Sequence, residues 1–233
     1  MYKSSYIRSM AQRPLDEVVE FAENPEPRCP CVLLLDVSGS MAGQPINELN
    51  EGIQLFWQEV SKDPLASKRV EVAVVAFSSG VEVVQDFATI ENSQPPVLEA
   101  GGATAMGSGI LTALDMLRSR KEVYRRNGIS YYRPWIFLIT DGAPTEPIEV
   151  MQQAAQAIQQ EEAKKGVAFF AVGVEGADMN MLATLSKERQ PLKLKGLAFR
   201  ELFLWLSASM QRVSSSKVED KVDLPSPQGW GQV

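Results

Sequence analysis

Five short runs rich in apolar and β-branched residues, at 31–35, 70–77, 81–87, 135–140 and 167–174, constrain this chain most, because longer segments of helical periodicity separate most of them. Runs of that length with little polar alternation are buried on both faces, as in a parallel sheet whose crossovers are helices. The second and third runs are joined only by Ser78-Ser79-Gly80. That linker is too short for a crossover and predicts a hairpin. The expectation is an α/β chain with a Rossmann-like open sheet, mostly parallel, with one antiparallel edge strand and helices on both faces.

The helical segments support this order. Residues 45–62 place Ile46, Leu49, Ile53 and Phe56 three or four apart, with Pro45 in the first turn where its missing N–H is harmless. Two further helices are predicted over 106–126 and 147–165, each followed by a glycine suited to a C-terminal cap, Gly128 and Gly166. A shorter helix follows Gly176. A last one over 198–213 carries Leu202, Leu206 and Met210 on one stripe, widened by Phe203 and Trp205.

A chain of 233 residues, 45% of them hydrophobic and 22% charged, can bury one sizeable core. The expected division is an N-terminal extension at 1–13, one domain at 14–213, and a mobile tail at 214–233, where no packable pattern is visible. A net charge of −6 and a pI near 4.9 argue against nucleic acid as the partner. No secretory leader or membrane-length apolar window is seen, so the expected address is the cytoplasm, away from the membrane. The two cysteines, Cys29 and Cys31, are one residue apart, too close for an unstrained bridge in extended chain, and read as ordinary thiols. Histidine is absent, which removes Ser-His-Asp and Cys-His chemistry and most zinc sites.

The first apolar run leads into Asp36-Val37-Ser38-Gly39-Ser40, at the carboxyl end of a strand where open α/β sheets gather ligands. Gly101-Gly102-Ala103-Thr104 precedes the 106–126 helix, and the fourth run ends at Asp141-Gly142. Asp36, Ser38, Ser40, Thr104 and Asp141 can therefore converge on one rim. Two carboxylates and three hydroxyls, without imidazole or thiolate, form a hard donor set that selects Mg²⁺, with Mn²⁺ or Ca²⁺ as competitors. Loop-borne ligands leave coordination positions to water or to an external oxygen.

These five residues, in this order over three loops, resemble the metal-ion-dependent adhesion site of von Willebrand factor A domains. The likeness covers roughly residues 31–213. It implies that family's fold with the metal at the top of the sheet, hydroxyls that bind the ion directly, and carboxylates able to act through water. It also implies capture of a partner's Asp or Glu at the metal. Within the family, Asp36-Val37-Ser38-Gly39-Ser40-Met41, then Gly43-Gln44-Pro45-Ile46, and Asp141-Gly142-Ala143-Pro144-Thr145 are similar to the bacterial TerY-like branch associated with tellurium resistance. Such proteins imply a signalling adaptor whose partner is a Ser/Thr kinase or a PP2C-type phosphatase. No role is carried to Glu146, which stands where many of that branch have Asp.

Other readings follow from the same residues. An Mg²⁺-dependent phosphoryl-transfer enzyme would want a second aspartate where Ser38 stands, and a lysine placed for the phosphoryl group, so no catalytic residue is assigned. An adaptor of an AAA+ ATPase of the chelatase type would share the metal site. Thr145, just ahead of Pro147, reads as a helix cap. Arg118, Arg120, Lys121, Arg125 and Arg126 read as a solvated face near a helix C-terminus.

Overall fold

The computed structural model describes residues 15–227 and 229–232; the extension expected at 1–13 lies outside them. The strands are β1 (Cys29–Asp36), β2 (Val70–Phe77), β3 (Val81–Thr89), β4 (Trp135–Thr140), β5 (Ala168–Gly173), β6 (Leu192–Leu194) and β7 (Gly231–Gln232). The helices are α1 (Leu15–Glu23), α2 (Gln44–Ser61), α3 (Pro64–Arg69), α4 (Met106–Asn127), α5 (Ile148–Ala163), α6 (Met179–Leu185) and α7 (Phe199–Ser215).

They form one sheet in the order β3-β2-β1-β4-β5-β6-β7. From β2 to β6 every pairing is parallel, and β3 is the antiparallel edge predicted from its short linker. At the opposite edge β7 adds a second short antiparallel pairing, with β6. Neither β6 nor β7 has a sequence signal, since each is only two or three residues long.

β1 is buried at every position because it lies between β2 and β4 under helices on both faces. Leu33 and Leu35 face the layer containing α2 and α7, while Val32 and Leu34 face α4 and α5. Gly128 caps α4 in the left-handed conformation, as predicted. At the end of α5 the left-handed residue is Lys165 (φ 56°), one before the predicted Gly166, because the helix stops at Ala163.

The tail differs from expectation. Trp230 is 2% exposed and packs on Trp205 with ring centroids 5.3 Å apart. Val218, Val222 and Leu224 also lie against the core, and Trp205 donates its indole N–H to the Pro225 carbonyl at 2.7 Å. Irregular chain can pack through a few isolated side chains, which leaves no periodicity to read. The basic cluster is also only partly a solvated face. Arg120 pairs with Glu71 and Glu20, and Lys121 with Glu161, each cation being 12% exposed. The thiols of Cys29 and Cys31 are buried and unbridged, and burial pushes Cys29 up to about 12.

Candidate metal centre

Asp36 is the last residue of β1, so its side chain stands at the carboxyl end of the sheet between Phe77 of β2 and the end of β4. One carboxylate oxygen accepts the Ser38 N–H at 2.9 Å; the other accepts the Thr140 hydroxyl at 2.5 Å. Burial raises the Asp36 carboxyl above its ordinary range. The Ser38 and Thr140 hydrogen bonds oppose that rise, and the neighbouring Asp141 carboxylate adds to it.

Ser38 Oγ and Ser40 Oγ are 3.1 Å apart, and Ser40 donates to Asp141 Oδ1 at 2.7 Å. Four of the five predicted residues are thus linked in one run of hydrogen bonds, Asp36 to Ser38 to Ser40 to Asp141. Gly142 shows where the fifth joins them. A Cβ at that position would stand 3.4 Å from Thr104 Oγ1, and 3.8 Å from both Asp36 Oδ2 and Ser40 Oγ. Oxygens from the first two loops therefore border a small space beside Gly142 of the third, and Asp141 reaches the same group through Ser40.

Backbone bonds hold the loops in this arrangement. Val37 N–H donates to Phe77, Gly39 N–H to Gly102 at 3.0 Å, and Gly101 N–H to Val37 at 2.8 Å. Gly102 adopts φ +88° and lies so close to Ser79 that a Cβ would fall 3.2 Å from its backbone nitrogen. Thr104 and Thr145 are joined twice: Thr104 N–H donates to the Thr145 hydroxyl at 3.1 Å, and Thr145 N–H to the Thr104 carbonyl at 3.0 Å. Thr145 therefore ties the second loop to the third and does not cap α5, whose N-cap is Pro147. Glu146 accepts the backbone N–H of Ser108 at 3.1 Å and also the Ser108 hydroxyl, supplying a cap to the first turn of α4, where Ala105 has none to offer.

Thr140, Thr145 and Glu146 are the supporting residues that sequence reasoning missed. An acidic residue six positions after a strand carries no signal that it caps a helix beginning forty residues earlier.

The donor set fits a hard divalent ion. Asp36 and Asp141 form no ion pair among the described residues, and each is less than a tenth exposed. Two adjacent carboxylates without a cation are costly unless something positive joins them.

The sequence matches the von Willebrand factor type A domain model over residues 31–200. The chain therefore belongs to that family. Among solved structures it is similar to the pilus adhesin SpaC of Lactobacillus rhamnosus GG, at 15% identity and a TM-score of 0.63, over 80% of this chain and 31% of the adhesin. It is also similar to the PilB minor pilin of Streptococcus sanguinis, at 13% identity and a TM-score of 0.58, over 80% of this chain and 62% of the pilin. The ArnB paralog VWA2 of Sulfolobus acidocaldarius gives 16% identity and a TM-score of 0.53, over 78% of this chain and 45% of that protein. The chain thus spans less than two thirds of each of these proteins, and at such identities the likeness establishes the fold. Comparison with curated proteins finds no match. Among the described residues no helix is long and apolar enough to cross a membrane.

Proposed function

We propose that this domain is a non-catalytic protein-interaction module that holds one divalent cation through Asp36, Ser38, Ser40, Thr104 and Asp141. The observation that carries the reading is the space beside Gly142, bordered by Thr104 Oγ1, Asp36 Oδ2 and Ser40 Oγ, with Asp141 hydrogen-bonded to Ser40 and neither carboxylate paired with a lysine or arginine among the described residues. A bound Mg²⁺, or Mn²⁺ or Ca²⁺ in its place, would neutralise those charges and offer a position to an external carboxylate oxygen. The partner's Asp or Glu is that oxygen's source.

The motif's likeness to the TerY-like branch supports a signalling adaptor that works beside a Ser/Thr kinase or a PP2C-type phosphatase. The free thiols Cys29 and Cys31 suit a reducing compartment, which favours the cytoplasm.

A thermal melt with and without Mg²⁺ or Mn²⁺ tests the metal. At a hundred times the dissociation constant the ion should add about 2.7 kcal/mol to the wild type. Asp36→Ala and Asp141→Ala should lose that gain, while Thr104→Ala should keep part of it. An undiminished gain in the double aspartate variant would put the ion elsewhere.

A further inference from the structure

The charges of this domain are segregated along the strand axis. No Lys or Arg occurs in residues 29–61, 70–117, 134–163 or 166–186. These segments contain β1 to β5 and the loops that leave their ends beside Asp36. Among the described residues, the cations at this end of the sheet are Lys193 on β6, Lys195 directly after it, and Arg200 in the first turn of α7. Two strands, β4 and β5, separate β6 from β1. At about 4.8 Å per strand that is ~14 Å, beyond the ~8 Å screening length of physiological salt. The exposed charges on the segments that lead into or out of β1 to β5 at this end are Glu82 at the start of β3, Glu99 ahead of Gly101, Glu149 at the start of α5, and Glu175 and Asp178 between β5 and α6.

An ion held by Asp36 and Asp141 cancels their charge and leaves that outer ring uncompensated. The ring would repel a partner whose acidic residue sits among further acids, and would attract one whose acidic residue sits among cations.

Two aliphatic side chains break the polar rim. Val97 is 70% and Ile148 63% exposed, the highest values among the described large hydrophobic residues. Val97 precedes the loop that ends at Thr104, and Ile148 follows the loop that begins at Asp141. The loop of Val97 is tied to α2 by two bonds of 2.9 Å between Asn50 and Leu98, whereas Ile148 opens α5 on the other face of the sheet.

We infer that this pole docks a protein surface in which a single Asp or Glu is surrounded by Lys or Arg, with apolar contacts to Val97 and Ile148. The inference rests on the metal reading above and names the partner's chemistry.

The test uses the whole chain loaded with Mn²⁺ and three pentapeptide probes: Asp between lysines, Asp between glutamates, and Asn between lysines. Electron spin resonance first measures Mn²⁺ binding, and the ion's enhancement of peptide proton relaxation then reports docking, with Asp36→Ala as the blank. The lysine-flanked Asp peptide should bind about fivefold more tightly than the glutamate-flanked one, and the advantage should shrink as salt rises. The Asn peptide should give no specific enhancement. Glu99→Lys combined with Glu149→Lys, both exposed and outside the ligand set, should keep Mn²⁺ and invert the preference. Equal affinities for the two Asp peptides, no docking by either, or a preference untouched by the double reversal would overturn the inference while leaving the metal in place. Failure to bind Mn²⁺ at all would overturn the metal reading as well.

Discussion

Asp36 and Glu71 are both carboxylates with no exposed surface, on neighbouring strands, yet they stand at opposite ends of the sheet in opposite surroundings. Glu71, at the start of β2, receives two bonds from Arg120 at 2.9 and 2.6 Å and the Tyr124 hydroxyl, with the Arg28 guanidinium 3.5 Å away. Phe21 lies under both guanidiniums, at 5.1 and 5.3 Å. Asp36 has a backbone N–H, a threonine hydroxyl and a second carboxylate nearby, and no paired cation among the described residues. One buried charge is completed by the protein, so its role is structural. The other has no such partner among the described residues, and in the function proposed above a ligand completes it.

If this contrast is right, removing the completed carboxylate should be the more damaging change. Glu71→Ala leaves Arg28, itself fully buried, without its acidic partner, and should lower the unfolding free energy by about 3–5 kcal/mol. Urea denaturation measures it. A loss near 1 kcal/mol would mean that water or the Glu20 carboxylate replaces Glu71 readily, and the contrast would weaken.

Tyr124→Phe sharpens the same end. Burial holds the Tyr124 phenol well above its ordinary range, and the Glu71 charge holds it there too, so it remains a donor at neutral pH. Deleting that donor while both guanidiniums stay should cost about 1–2 kcal/mol by the same denaturation. A cost equal to that of Glu71→Ala would show that the phenol, more than the arginines, makes the buried charge tolerable.

The two ends were not equally legible. The gathering of Asp36, Ser38, Ser40, Thr104 and Asp141 at one rim could be read because these residues sit at strand and helix boundaries in short motifs, where local chemistry and position coincide. The Glu71 network could not. Arg28, Glu71 and the Arg120–Tyr124 turn of α4 lie far apart in the chain and are joined only by folding, so Arg120 looked like one more cation at a helix end. The tail was hidden for a related reason, since Trp230 packs alone and not as part of a stripe. Five strands and the main helices were visible because burial on both faces, or on one stripe, imposes a period. Thr140 and Glu146 were missed because a supporting hydrogen bond imposes none.

The smallest stability effect belongs to Asp36, and its sign is the discriminating part. In metal-free protein its carboxyl is raised by burial and by Asp141, so the folded state favours the protonated form. A raised carboxyl favours folding below the ordinary carboxyl range, and that advantage is lost as pH rises through the raised folded value. Asparagine cannot ionise, keeps a similar shape, and can still accept the Ser38 N–H. Metal-free Asp36→Asn should therefore match the wild type in mild acid and exceed it slightly at neutral pH, by up to about 1 kcal/mol, because replacing an uncompensated buried charge is neutral or stabilising. Adding Mg²⁺ should reverse the order, since only the wild type gains from the ion. Thermal melts of both proteins across that pH interval, with and without Mg²⁺, check each step. An Asp36→Asn protein that is weaker than wild type without metal would show that Ser38 and Thr140 already complete this carboxylate. Asp36 would then be a second Glu71, and the loops beside it scaffold.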